Sequence, residues 1–344
     1  AAGRLFESMF AINFTTAVLI GGAVIVLYTF LGGFLAVSWT DFIQGLLMLA
    51  AVIIVPLMAF VSAGGFAGIS AAMEAREIPT NIIPAGDLAF LGIISTAAWG
   101  LGYFGQPHIL ARFIGIRKAS DIPGATTIAV VWVAFSLTFA VFIGLIGIPL
   151  FPELSGPASE TVFIEMIRST FAPWIGGVFL AAILSAVMST IDSQLLVSSS
   201  ALTEDLYRRF ATGEPSQEKL MWMGRISVGI IAVIAMVLAL SPGNTVLGLV
   251  SYAWGGFGAA FGPVVIMALF SRRTTWKSAL AGMLVGTAVL ILWERVGLNA
   301  YMYEIVPGFI ANFAAIFAFN AFARQEDTEI LGTYDSVQAA LEGE

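Results

Sequence analysis

The stretch Ile226–Ser271 reads ISVGIIAVIAMVLALSPGNTVLGLVSYAWGGFGAAFGPVVIMALFS and holds no Asp, Glu, Lys or Arg. A helix rising about 1.5 Å per residue needs roughly 20 apolar residues to cross about 30 Å of hydrocarbon. This run is long enough for two crossings, and Ser241-Pro242-Gly243-Asn244 divides it with turn chemistry. The alternating polar and apolar pattern of a barrel strand is absent. In hydrocarbon every backbone N–H and C=O must find an internal partner, which leaves helices as the spanning elements.

The same reading extends in both directions. Residues 8–40, 42–73, 88–111, 122–152 and 169–191 are free of charge, as are 278–293 and 305–323. Together these runs predict about nine transmembrane helices, centred near 25, 52, 100, 137, 187, 233, 258, 285 and 314. Across the whole chain 59% of residues are hydrophobic and 11% charged. Soluble domains are nearer 45–50% apolar and about a quarter charged. A soluble enzyme, a disordered chain and a nucleic-acid binder are excluded, and the net charge of −7 suggests no polyanionic partner. With no Cys and one His, the chain has no disulfides, no thiol chemistry and no zinc cluster. The fold class is an all-α polytopic membrane protein embedded in a lipid bilayer, not an enzyme, with no obligate protein partner evident.

Lys and Arg favour cytoplasmic loops. If the loop after the third helix is cytoplasmic, the inside holds Arg112, Arg117, Lys118, Arg208, Arg209, Lys219, Arg225, Arg272, Arg273, Lys277 and Arg324. The outside then holds only Arg4, Arg76, Arg168 and Arg295. This predicts an external start and a cytoplasmic end in the inner (plasma) membrane. The opening Ala1-Ala-Gly-Arg-Leu-Phe-Glu7 reads as a chain leaving an earlier helix, with no initiator Met and no signal-type n-region. The expected organisation is a transmembrane domain over 1–324, lacking its first helices, and a short acidic tail over 325–344.

Most of these helices need only lipid-facing and packing residues, but four places differ. Ala98-Trp99-Gly100-Leu101-Gly102-Tyr103-Phe104-Gly105-Gln106-Pro107-His108 concentrates glycines and a proline at mid-membrane. Such a run breaks or unwinds a helix, which is tolerated where the released backbone groups line a cavity. Trp99 and Tyr103 are four apart, a pair on one helix face with a polar handle each, and Gln106 adds a donor and an acceptor, so a substrate site on a discontinuous helix is one reading. A proline-kinked packing helix is the other. Ala186, Ser189 and Thr190 stand at i, i+3 and i+4 on one helix face, where two hydroxyls and a carbonyl offer oxygens to a monovalent cation. The plainer account is hydroxyls bonding back to the carbonyl a turn earlier.

Asp41 reads as a helix N-terminal carboxylate complementing the dipole, or as a cation ligand or proton-relay carboxylate facing the bundle. Asp192 lies on the same helix, two residues after Thr190. It reads as a residue close enough to the cytoplasmic end to meet water, with Arg208 or Arg209 as a loose partner, because a carboxylate in hydrocarbon costs about 2.5–3.5 kcal/mol. Gly258 and Gly262 have small-xxx-small spacing, which suits close helix packing or a bending gate helix. His108 reads as structural.

Several segments resemble the sodium/solute symporter family, closest to its proline-transporting members. They are Trp99-Gly-Leu-Gly-Tyr-Phe-Gly-Gln-Pro-His-Ile-Leu-Ala-Arg-Phe113, Val187-Met-Ser-Thr190 with Gln194-Leu-Leu-Val, Ser200-Ala-Leu-Thr-Glu-Asp-Leu-Tyr207, and Leu247-Gly-Leu-Val-Ser-Tyr-Ala-Trp254 through Phe257-Gly-Ala-Ala-Phe-Gly-Pro-Val264. Arg4-Leu-Phe-Glu-Ser8, Tyr28-Thr-Phe and Gly32-Gly-Phe-Leu-Ala-Val-Ser-Trp-Thr-Asp41 agree with them.

The resemblance implies a leucine-transporter-like inverted-repeat fold, here partial. The last two helices of the first repeat, the whole second repeat and two C-terminal helices are present. It implies Na+ as coupling ion, held in part by Ala186, Ser189 and Thr190, with Asp41 near a further sodium position or the cytoplasmic exit. It places Trp99, Tyr103 and Pro107 against the substrate, with Gln106 beside them. Asp192 departs from the proline-type pattern. The expected function is sodium-coupled import of L-proline by alternating access. The alternatives are a symporter for a sugar, vitamin or carboxylate, or a symporter-like sensor domain. On this reading the 344-residue stretch alone is expected not to transport, since half of each site lies upstream.

Overall fold

Asn13 begins the longest helix. Its side-chain oxygen accepts from the Thr16 N–H at 2.8 Å, satisfying one of the unpaired donors of a first helical turn. The computed structural model describes residues 2–81, 86, 89–211, 213–240, 245–322 and 325–342. The predicted turn at 241–244 and Arg324 lie outside the described residues, as do the side chains of 28 and 30–36 in the quoted motifs.

Among the described residues every regular element is helical. In chain order these are α1 (Ala2–Phe10), α2 (Phe14–Ser62), α3 (Gly65–Ala75), α4 (Ala89–Ala97), α5 (Pro107–Ile114), α6 (Ile122–Leu150), α7 (Val162–Thr170), α8 (Pro173–Ser200), α9 (Arg208–Phe210), α10 (Gln217–Ala239), α11 (Val246–Phe270), α12 (Trp276–Arg295), α13 (Ile305–Phe322) and α14 (Thr328–Glu342). A 3-10 stretch, Ala98–Gly105, joins α4 to Gln106, and a π stretch, Ala201–Tyr207, joins α8 to α9.

Seven described helices are long and apolar enough to cross a membrane, and the pair α1 with the start of α2, bent by 116°, raises this to as many as eight. Seven of the nine predicted centres fall in those seven helices. The centre near 25 lies in α2 beyond the bend, and the centre near 100 lies in the shorter apolar segment Ala89–Gly105. The expected separation of the first two spans is not seen, because α2 runs unbroken for 49 residues. Instead of opening a new helix at Ser38–Asp41, the Thr40 hydroxyl donates to the Val37 carbonyl at 2.9 Å, so the polar cluster folds into the existing helix. Asp41 is therefore inside α2, and the dipole account of its carboxylate fails.

The outward faces are apolar. On α6, Ile128, Val130, Val131, Phe135, Leu137 and Val141 are exposed, a surface for lipid rather than water. This is a multi-pass membrane protein.

The chain divides into two compact units, residues 1–80 with 116–246, and 81–115 with 247–344. In the first, Ala51, Val55 and Ala59 of α2 pack with Ile143 and Ile146 of α6, Met166 and Ile167 of α7, and Phe179 and Ala182 of α8. In the second, Ala98, Ala259, Leu290, Ile305 and Val306 form the core. α12 starts with a reciprocal cap between Thr275 and Ser278.

The chain end is helical in the second unit. Arg272 donates from Nε and Nη2 to the two Asp335 carboxylate oxygens at 2.8 and 2.9 Å, and Gln325 Nε2 donates to the Thr274 carbonyl at 3.0 Å. The hydrogen bond and charge of Arg272 hold the Asp335 carboxyl below its ordinary range. A carboxyl lowered in the folded state stabilises above its unfolded value, about 3.9, and loses that contribution as pH falls through the folded value. Asp335→Asn should therefore speed amide exchange across 328–342 a few-fold at neutral pH, as expected of an exposed but bidentate pair. Hydrogen exchange checks this, and unchanged rates would show that the pair does not hold α14.

Candidate functional site

In the second unit, the interrupted helix follows from its residue types. Gln106 is extended, with φ −84° and ψ 112°, as a residue before proline prefers, and Pro107 opens α5 at a position where its missing N–H is harmless. Ahead of it, 98–105 tightens to 3-10 geometry. At three residues per turn, positions four apart no longer share a face, so Trp99 and Tyr103 do not form the expected simple pair. Both instead meet Trp254 of α11. The Trp99 and Trp254 rings stack at 5.6 Å and 15°, and Tyr103 meets Trp254 edge to face at 4.8 Å and 86°. Tyr303 stacks on Trp99 at 6.2 Å.

Trp254 Nε1 donates to the Trp99 carbonyl at 2.9 Å, and buried Gln106 donates from Nε2 to the Trp254 carbonyl at 3.2 Å. The sequence-predicted residues Trp99, Tyr103 and Gln106 thus converge on one residue, and Pro107 marks where the second half-helix begins. The arrangement offers aromatic faces and the Gln106 amide, while the Ile109 and Leu110 N–H groups at the start of α5 already donate to the Gln106 carbonyl at 3.1 and 3.0 Å. The rings and the amide suit a small solute carrying an apolar body, a cation and a carboxylate.

The first unit carries the oxygen cluster. Ser189 Oγ and Thr190 Oγ1 both donate to the Ala186 carbonyl, at 3.1 and 3.2 Å, so the expected face exists and its hydroxyls bond back. Their lone pairs remain as acceptors. Ser193, one turn on, contacts the Ser189 carbonyl at 2.8 Å and Asp41 Oδ2 at 3.3 Å, which brings α2 and α8 together at this face. Such oxygens fit a hard monovalent cation. Among the described residues no three His, Cys, Asp or Glu side chains gather to hold a metal.

Asp192 does not reach water as expected: it is fully buried, and Arg208 pairs with Glu204 at 3.2 Å instead. The helical turn that puts Thr190 on the accessible side of α8 puts Asp192 on the packed side.

Three residues went unrecognised in the sequence. Ser193 is four residues from Ser189, a spacing that already placed it on the same face. Trp254 had a weaker signal, an indole N–H that needs a partner inside a charge-free helix. Tyr303 had none.

A model of the sodium:solute symporter family matches residues 1–286. The chain is 48% identical over 330 residues to a sodium/proline symporter of Salmonella typhimurium, covering 94% of this chain and 65% of that protein. It is 44% identical over 346 residues to the high-affinity proline transporter PutP of Bacillus subtilis, covering 99% of this chain and 72% of that protein. The chain thus spans about two thirds of the length of these curated relatives. A solved structure of a Na+-coupled sialic acid symporter in a substrate-bound, outward-open state superposes with a TM-score of 0.71. That likeness covers 94% of this chain and 70% of the other at 19% identity, which speaks to the fold.

Proposed function

The chain belongs to the sodium:solute symporter family, and from that premise we propose that it imports L-proline with Na+ by alternating access across the plasma membrane. The observation that carries this reading is the interruption at 98–106, where an apolar helix gives way to 3-10 and then extended backbone. The faces of Trp99 and Tyr103 take the pyrrolidine ring and its ammonium. The second N–H of the Gln106 amide, at the start of α5, takes the carboxylate, with Pro107 beside it. Ala186, Ser189 and Thr190 contribute oxygens to the coupling Na+, and Asp41 with Ser193 supplies further ones.

Na+ and proline each raise affinity for the other by a shared coupling free energy. An inward-negative potential adds about 2.3 kcal/mol per charge per 100 mV. The eleven-to-four distribution of Lys and Arg supports an external start and a cytoplasmic chain end, at the boundary of a transmembrane domain over 1–324. The chain has no Cys, so single cysteines introduced along it and labelled with a thiol reagent read the orientation.

The deciding experiment is uptake of labelled L-proline by the protein at its full natural length. Uptake should require Na+ and rise with an inside-negative potential, and uptake unchanged in sodium-free buffer would overturn the proposal. Thr190→Ala should raise the half-saturating Na+ concentration about tenfold, a loss of about 1.4 kcal/mol. An unaltered Na+ requirement would remove Thr190 from the site.

A further inference from the structure

We propose that Trp254 is a positioning residue for the solute site: it clasps the unwound stretch 98–106 and sets the geometry in which Trp99 and Tyr103 meet solute. The inference rests on the solute reading above, but its geometry stands independently. One residue makes four ties to that stretch. Its indole N–H donates to the Trp99 carbonyl at 2.9 Å. Its ring stacks on Trp99 and takes Tyr103 edge-on. Its own carbonyl accepts from Gln106 at 3.2 Å.

A 3-10 turn is held by poorer hydrogen bonds than an α-helix, and runs longer than three or four residues are uncommon. The stretch Ala98–Gly105 covers 8 residues, so it needs an external restraint. The indole supplies one by engaging a backbone carbonyl that side chains cannot alter. It lies directly over Gly102, where an added Cβ would overlap its Nε1 and stand 2.6 Å from Cε2. The glycine at 102 is therefore the seat of the clasp. Tyr303, stacked on the other partner Trp99, donates its hydroxyl to the Ser251 carbonyl of the same helix, α11. The restraint thus belongs to a packed aromatic group and not to a single contact.

The test compares Trp254→Phe, which keeps a ring and loses the N–H, with Trp254→His, which keeps a ring N–H. In Trp254→Phe, amides of 98–106 should exchange at least about tenfold faster than in the parent, with α12 and α13 unchanged. KM for proline should rise about tenfold with kcat within about threefold, and half-saturating Na+ at saturating proline should not move. Trp254→His should recover part of both effects. A merely structural loss would lower the amount of folded protein and kcat without a selective change in KM.

Unchanged exchange over 98–106 overturns the proposal, and so does faster exchange with an unmoved KM. If the parent protein shows no Na+-driven proline uptake, the solute reading has failed, and the exchange comparison alone decides the clasp. Where Trp254→Phe does not reach the membrane, Trp254→Tyr carries the same comparison.

Discussion

Gly105→Ala is expected to cut Na+-driven uptake to below about a tenth, while Gly100→Ala, five residues earlier in the same stretch, leaves it near the parent level. The difference lies in what a methyl group would meet. At Gly105 a Cβ would overlap the Phe257 carbonyl oxygen and stand 2.8 Å from Phe257 C and 2.9 Å from Gly258 Cα. These are backbone atoms of α11, so no rotamer change can relieve the overlap, and a whole helix segment must move. At Gly100 nothing lies within 4 Å. Overpacking a tight interior costs about 1–3 kcal/mol, and an immovable backbone neighbour puts Gly105 at the upper end. The shift also falls on the residues that present Trp99, Tyr103 and Gln106, so uptake suffers beyond the loss of stability. Uptake and thermal unfolding of the two variants, measured side by side, check the argument. Equal behaviour of the two would mean that close approach to α11 is not what this glycine provides.

The glycines around Trp99 show how far the sequence could be read. Their clustering with Pro107 made an interrupted helix legible, because backbone freedom and a missing N–H are local properties. Their separate roles were not legible. Gly100 faces open space, Gly102 lies under an indole, and Gly105 meets backbone. The last two partners lie roughly 150 positions away in the chain, where no spacing rule reaches. The oxygen face of α8 was legible for the same local reason, since i, i+3 and i+4 periodicity is built into a helix.

Asp41 shows the opposite case. Its two readings differed only in whether α2 was already formed when the chain reached it, and that depends on the unbroken path from Phe14 to Ser62. The burial of Asp192 was likewise hidden, because a carboxylate near a predicted helix end gives no sign of which neighbour covers it.

Asn312→Ala is expected to destabilise the protein by about 2–3 kcal/mol, and Pro263→Ala to absorb about 1–1.7 kcal/mol of that cost. Pro263 lies inside α11 and has no N–H, so the carbonyl four residues earlier, Ala259, loses its helical donor. Asn312 of α13 replaces it. Its Nδ2 donates to the Ala259 carbonyl at 2.7 Å and to the Ala260 carbonyl at 2.8 Å, and the side chain is fully buried. Small residues make the approach possible. A Cβ on Gly286 would stand 2.7 Å from the Ala259 oxygen and 2.8 Å from Asn312 Cβ, and one on Gly282 would overlap Asn312 Oδ1.

Side-chain hydrogen bonds between membrane helices average only about 0.6 kcal/mol in double-mutant cycles, with a maximum near 1.7. An ordinary pair would therefore give little coupling. This one should approach the maximum, because removing Asn312 leaves a buried carbonyl that no helical N–H can reach. Ala260 gives the internal contrast: its helical donor would come from Val264, which is not proline, so its second bond is dispensable. Restoring an N–H at 263 gives the Ala259 carbonyl a partner within its own helix, and Asn312 should then matter less. Unfolding of the parent, both single variants and the double variant supplies the cycle. A coupling near zero would mean that Asn312 acts through packing alone, and that α11 accommodates Pro263 by its packing against α12 and α13 instead.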